Sequence, residues 1–136
     1  MSGPKLFTTE WAAAAAEAEP AHAAIVRAGF KDAGSFTHVL ALQATDLDRE
    51  IYVDYVSGNV VSITDTMDES RVWSRFAGTA DTWKQAAEGT QPAANLVMGA
   101  KLKLTKGEIS ELVQNAEAFN RLNRAFGDIA DVEYSS

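Results

Sequence analysis

The chain is predicted to be an α+β protein: a five-stranded, mostly antiparallel sheet covered by helices. Three observations predict it. The period of the apolar residues changes from helical to two at Ser35; four strand-like runs then follow, separated by short turns; and the last third holds a capped helix, one more short strand and a long amphipathic helix. At 136 residues the chain is expected to form one domain, 1-136, around one core, with 1-7 and 128-136 as loose tails.

Thr8-Thr9-Glu10-Trp11 reads as a helix start, with a hydroxyl to take a free amide and an acid to meet the positive end of the dipole. The alanines of 12–16 propagate that helix, and Pro20 restarts it over 21–28 until Gly29. Trp11, Ile25, Val26 and Phe30 have the area to dock the pair on a sheet.

The four strand runs are 35–44, 50–56, 59–66 and 71–78. Turns this short imply antiparallel neighbours, so a four-stranded meander is expected. In the second run Ile51, Val53 and Tyr55 face one way and Glu50, Tyr52 and Asp54 the other. The first has apolar residues on both parities, with Phe36, Leu40 and Leu42 opposite Val39 and Ala41, as a central strand buried on both faces does. Thr79 or Asp81 caps a helix over 82–88 that ends at Gly89. A fifth strand, 101–105, sets Leu102 and Leu104 against solvated lysines; reached through a helix and an irregular segment, it can pair parallel to a neighbour by a crossover. Ile109, Leu112, Val113, Ala116, Phe119, Leu122 and Phe126 then form one stripe along a long closing helix that ends at Gly127. In the acidic tail only Ile129 is expected to dock.

The net charge of −7 argues against a nucleic-acid partner, which needs clustered cations, and against tight adsorption to anionic membranes. Without cysteine there is no disulfide, thiolate metal site or thiol nucleophile. His22 and His38 are the two histidines and do not stand at ligand spacing, so no metal or organic cofactor is expected. His38, with Asp46, Asp48 and Glu50 beyond its strand, has the makings of a general base, yet a lone strand histidine is more often a packing residue. Tyr52 and Asp54 share a face as the acid and phenol of small isomerases do, and Asp65, Asp68 and Glu69 lack the spacing of a calcium loop. The chain has no secretory or membrane-spanning pattern, so a cytoplasmic protein without stable membrane insertion is expected.

The stretch 78–126 carries a resemblance. Trp83 to Gly89, then Pro92, Leu96-Val97-Met98, Gly99-Ala100-Lys101-Leu102-Lys103-Leu104 and Gly107-Glu108 follow in the order of a short helix ending in Gly, an apolar segment with Met, a G-K-L-K-like strand and a helix. This resembles the C-terminal half of the sterol-carrier-protein-2-like lipid-binding domains. Ala100 stands where that family has Gly, which costs free energy if the position needs positive φ, and Thr105-Lys106 adds one residue before Gly107.

The resemblance implies an apolar tunnel between sheet and helices that binds and carries a hydrophobic small molecule: a sterol, fatty acid or acyl-CoA, phospholipid or related lipid. Each buried methylene contributes about 0.8 kcal/mol, so such a site binds without a charged anchor. It further implies ligand contacts from Trp83, Leu96, Met98, Leu102, Leu104, Phe119, Leu122 and Phe126, with the closing helix as the movable wall. The expected role is not that of an enzyme but of an accessory, with a lipid- or steroid-metabolising enzyme as partner. The alternatives are a small isomerase-like enzyme of the ketosteroid-isomerase kind, whose domains end in long strands where this chain ends in its longest helix, and a purely structural or interaction domain.

Overall fold

The extended backbone of Thr8 and its hydroxyl, which accepts from the Trp11 amide, start α1 (Thr9–Ala18), whose inner face is Trp11, Ala12 and Ala15. Pro20 sits in a 3-10 turn, Glu19–His22, that leads directly into α2 (Ala23–Ala28). These observations come from a computed structural model that describes residues 3–135. The strands are β1 (Val39–Ala44), β2 (Arg49–Val56), β3 (Asn59–Thr64), β4 (Val72–Gly78) and β5 (Lys103–Lys106). They form one five-stranded sheet in the order β3-β2-β1-β4-β5.

Three of the four pairings are antiparallel, as expected, but the parallel one is elsewhere. The meander stops after β3, and β4 lies parallel to β1. The connection 65–71 folds across the outer face of the sheet, where Met67 packs on Val39, Ala41 and Val72 and Arg71 meets Asp54 at 2.9 Å. It therefore delivers the chain to the far side of β1. β5 is antiparallel to β4 rather than parallel to a neighbour. Its approach explains this: Leu102 packs at Gly78, so β5 starts where β4 ends and can only run back. β1 is central, with Leu40 and Leu42 in the main core and Val39 and Ala41 in a second cluster on the outer face.

Between them, α3 (Ala80–Glu88) begins two residues before the expected 82, because Thr79 caps it from the Thr82 amide at 3.3 Å and Asp46 accepts the Ala80 amide at 2.9 Å. The Leu96-Val97-Met98 segment is helical, in α4 (Ala93–Met98). Ala100 then takes φ 63°, the left-handed conformation in which the resemblance has Gly. The extra residue is absorbed as a bulge at Thr105, since Phe76 pairs with Leu104 and Arg75 with Lys106.

The closing helix is not continuous. It breaks at Asn115 into α5 (Ile109–Gln114) and α6 (Ala116–Phe126). The Asn115 side chain donates to the Glu111 carbonyl at 3.1 Å and accepts the Lys31 amide at 3.2 Å, so it ties the break to the helix behind it and to the loop after α2. The tails expected to be loose, of which residues 1, 2 and 136 lie outside those described, are paired with each other. Leu6 donates to the Glu133 carbonyl and Glu133 to that of Pro4, both at 2.9 Å, while Leu6, Phe7 and Ile129 enter the core. Their apolar area outweighs the acidic composition that suggested a free end.

Candidate ligand cavity

The sheet face that meets α5 and α6 is shaped by a bulge in β4. Val39 pairs with Val72 and Leu40 with Ser74, which leaves Trp73 as an extra residue. Strict alternation would put Trp73 on the Arg75 side. Instead Val72 joins the outer cluster, and Trp73 and Ser74 both reach the helix side, where they line a cavity. Bulges commonly re-aim side chains in this way at functional positions.

The sheet supplies Leu40, Tyr55, Trp73, Ser74 and Phe76 as the cavity floor; α5 and its flanks supply Glu108, Glu111, Leu112 and Asn115; α6 supplies Phe119; and the loop before β1 supplies Phe30 and Phe36. The walls are locked ring against ring. Phe76 stacks on Phe119 with centroids 4.5 Å apart, Phe30 lies 4.4 Å from Phe36, and Phe36 meets Tyr55 edge-on at 5.2 Å. At the mouth the His38 ring stacks on the Trp73 indole. Beyond that pair, Trp73 and Tyr55 also bound an open polar cleft of about 280 Å³ that holds Asp54 and Arg71.

The cavity volume is about 30 Å³, room for a water or two. Clefts that hold drug-sized ligands measure roughly 300–1,000 Å³. The space is apolar but about a tenth of that size, so the structure does not show the tunnel that the resemblance implies.

Burial sets its electrostatics. Desolvation holds the His38 imidazole below its ordinary pKa, against a smaller opposing pull from Glu111. Desolvation likewise pushes the Tyr55 phenol well above its ordinary value, with the Glu19 carboxylate adding to it. Both groups are neutral near pH 7. Ser74 is 2% exposed, and its hydroxyl makes no side-chain hydrogen bond among the described residues. On the opposite face Arg75 binds Glu50 and Glu69, and hydrogen bonds from Arg75 hold the Glu69 carboxyl down to about 2. That cluster is a salt-bridge network on the outside of the sheet. Among the described residues no three His, Asp or Glu side chains are grouped to hold a metal ion.

The eight residues named from the sequence do not share one space. Phe119 lines the cavity. Trp83 and Phe126 lie in a second packing layer with Phe7 and Trp11, around a void of only about 10 Å³. Leu96, Leu102 and Leu122 are buried core, Leu104 is half-buried, and Met98 is 66% exposed at the end of α4. The segment expected only to be apolar is helical, and its last residue, Met98, faces solvent. The cavity's other walls come from residues read as strand face, helix stripe or docking area, or, as with Glu111 and Asn115, not singled out, and Trp73 and Ser74 were hidden by the bulge. The cluster of aromatic residues Phe30, Phe36, Tyr55, Trp73 and Phe76 is the sequence signal that would have found it.

No protein-family model and no curated protein sequence matches the chain. Solved structures do. A conserved hypothetical protein of Thermus thermophilus, described as a possible sterol carrier protein, is 22% identical over 96% of this chain and 94% of its own, with a TM-score of 0.76. A crystal structure of sterol carrier protein 2 is 22% identical over 93% of this chain and 100% of its own, with a TM-score of 0.74. A ubiquinone synthesis protein, UbiJ-SCP2, is 15% identical over 74% of this chain and 78% of its own, with a TM-score of 0.50. With its sheet order, its paired helices on one face and these matches along nearly its whole length, the chain has the fold of sterol carrier protein 2.

Proposed function

We propose that the chain binds and carries a hydrophobic small molecule, without transforming it, in the space between β1 and β4 on one side and α5 and α6 on the other. The observation that carries this reading is the aromatic cavity closed by α5, a short helix with little buried surface. Leu112 is the one buried residue of α5, while Ile109 and Val113 are 46% and 59% exposed. A six-residue helix held by one buried leucine opens at lower free energy than the sheet or α6 does. Once α5 swings out about Asn115, Leu112 leaves the cavity and Ile109 and Val113 become available to cover an apolar ligand. In this reading the movable wall is the start of the closing helix.

The fold shared with sterol carrier protein 2 supports carriage. The similarity to a ubiquinone synthesis protein supports the further reading that the cargo is presented to a lipid- or steroid-metabolising enzyme. No helix among the described residues is long and apolar enough to cross a membrane. Native mass spectrometry of freshly purified protein tests the reading. The expected result is a mass increment from a co-purified apolar molecule, or uptake of one from a lipid extract. A protein that stays ligand-free after incubation with such an extract would contradict it.

A further inference from the structure

Ser74 and Tyr55, both buried and hydroxyl-bearing, line the cavity together with Glu108 and Glu111, and no lysine or arginine does. Ser74 is nearly fully buried on β4 and faces the Gly107 turn, where φ is 101° and a β-carbon would collide with Ser74 Oγ. Gly107 therefore leaves the hydroxyl its place at the junction of β5 and α5. No side-chain polar atom among the described residues is sealed from solvent without a partner, so Ser74 Oγ, which makes no side-chain hydrogen bond, is not walled in. Glu108 is one residue from the turn that Ser74 faces, and Glu111 lines the same cavity one helical turn further along α5.

Resting on the carriage proposed above, we infer that the cavity selects neutral amphiphiles with a single hydrogen-bonding group, such as a long-chain alcohol or a hydroxylated ring system. Ser74 is the anchor, and Glu108 and Glu111 reject carboxylate- and phosphate-headed lipids. A ligand hydroxyl at Ser74 can donate as well as accept, whereas an anionic head there meets two like charges in a partly desolvated cavity, an arrangement that suppresses wrong partners strongly.

The neighbouring charges do not offset this. His38 is held toward its neutral form by burial. Lys31 shares the adjoining cleft with Asp32 and Glu111, which leaves that cleft net negative. Arg71, in the cleft beyond Trp73, is paired with Asp54 at 2.9 Å.

A chain-matched pair of probes tests the inference: 1-dodecanol and dodecanoate, titrated calorimetrically into the intact protein at pH 7.5. The expected result is binding of dodecanol at least tenfold tighter than dodecanoate. In the double variant Glu108→Gln/Glu111→Gln the gap should close to threefold or less through tighter binding of dodecanoate. Neither carboxylate makes a hydrogen bond among the described residues, and Asn115 is held by the Glu111 carbonyl, so the double variant keeps the helix break. Ser74→Ala should weaken dodecanol by roughly three- to tenfold, the worth of one neutral hydrogen bond. Dodecanoate binding as tightly as dodecanol to the wild type, or unchanged by the double variant, overturns the selectivity and leaves carriage standing. Failure of both probes to bind overturns carriage and the selectivity with it.

Discussion

The His38 imidazole lies flat on the Trp73 indole, with ring centroids 4.0 Å apart and planes within 12° of parallel. Because burial holds the folded-state pKa of His38 below its ordinary 6.5, the unfolded chain binds more protons in the range just below that value. Stability from this group is complete above about pH 6.5 and is lost as pH falls below it. Urea unfolding of the wild type should therefore weaken between pH 7.5 and 5.5 by more than that of His38→Gln. Equal losses would show that the stack does not depend on a neutral ring.

Ala100 occupies φ 63° at an exposed turn, with its amide bonded to the Val97 carbonyl at 3.0 Å. A left-handed residue bearing a β-carbon costs roughly 1–2 kcal/mol. Ala100→Gly relieves that strain at some entropic cost in the unfolded chain, so a gain of about 1 kcal/mol in unfolding free energy is expected. A loss in a urea titration would contradict it.

The second packing layer behaves as solid core. Phe126 is 5% exposed and meets Trp11 edge-on at 4.9 Å, so Phe126→Ala should cost about 3–5 kcal/mol. Met98→Ala, at an exposed site, should stay within about 0.5 kcal/mol. Chemical denaturation of the two variants reads both values. A mild Phe126→Ala would place a hollow where the structure has packed rings.

Glu19 is buried beside the α1 terminus, and desolvation raises its carboxyl above the ordinary value, with His22 opposing. A raised folded-state pKa means that stability is lost as pH rises through it, because the native state holds the proton longer. Glu19→Gln should then be more stable than the wild type at pH 7, and the advantage should vanish near pH 4. Thermal unfolding at the two pH values checks the sign.

Much of the fold is legible in the residues themselves, because its signals are local. The caps at Thr8 and Thr79, the alternation along β2 and the apolar stripe of α6 each depend on neighbours within a few positions. What stayed hidden is non-local. Whether β4 pairs with β3 or β1 is decided by Met67 and Arg71 reaching across the sheet, and the break at Asn115 by a bond to Lys31, 84 residues away in the chain. The site suffered most, since a single extra residue at Trp73 changes which side chains face the helices. Met98 shows the converse: its chemistry suits a ligand, but its place in α4 does not bring it to the cavity.

The three tryptophans allow the central claim to be read directly. Trp73 stands in the cavity wall, Trp11 is packed against Phe126, and Trp83 is buried with its indole donating to the Gln43 carbonyl at 2.9 Å. In ¹⁵N-tryptophan-labelled protein titrated with 1-dodecanol, the indole resonance of Trp73 should move in a saturable way while those of Trp11 and Trp83 stay in place. Movement of Trp11 or Trp83 with Trp73 unchanged, or no movement of any of the three, would contradict an apolar ligand seated between β1, β4 and helices α5 and α6.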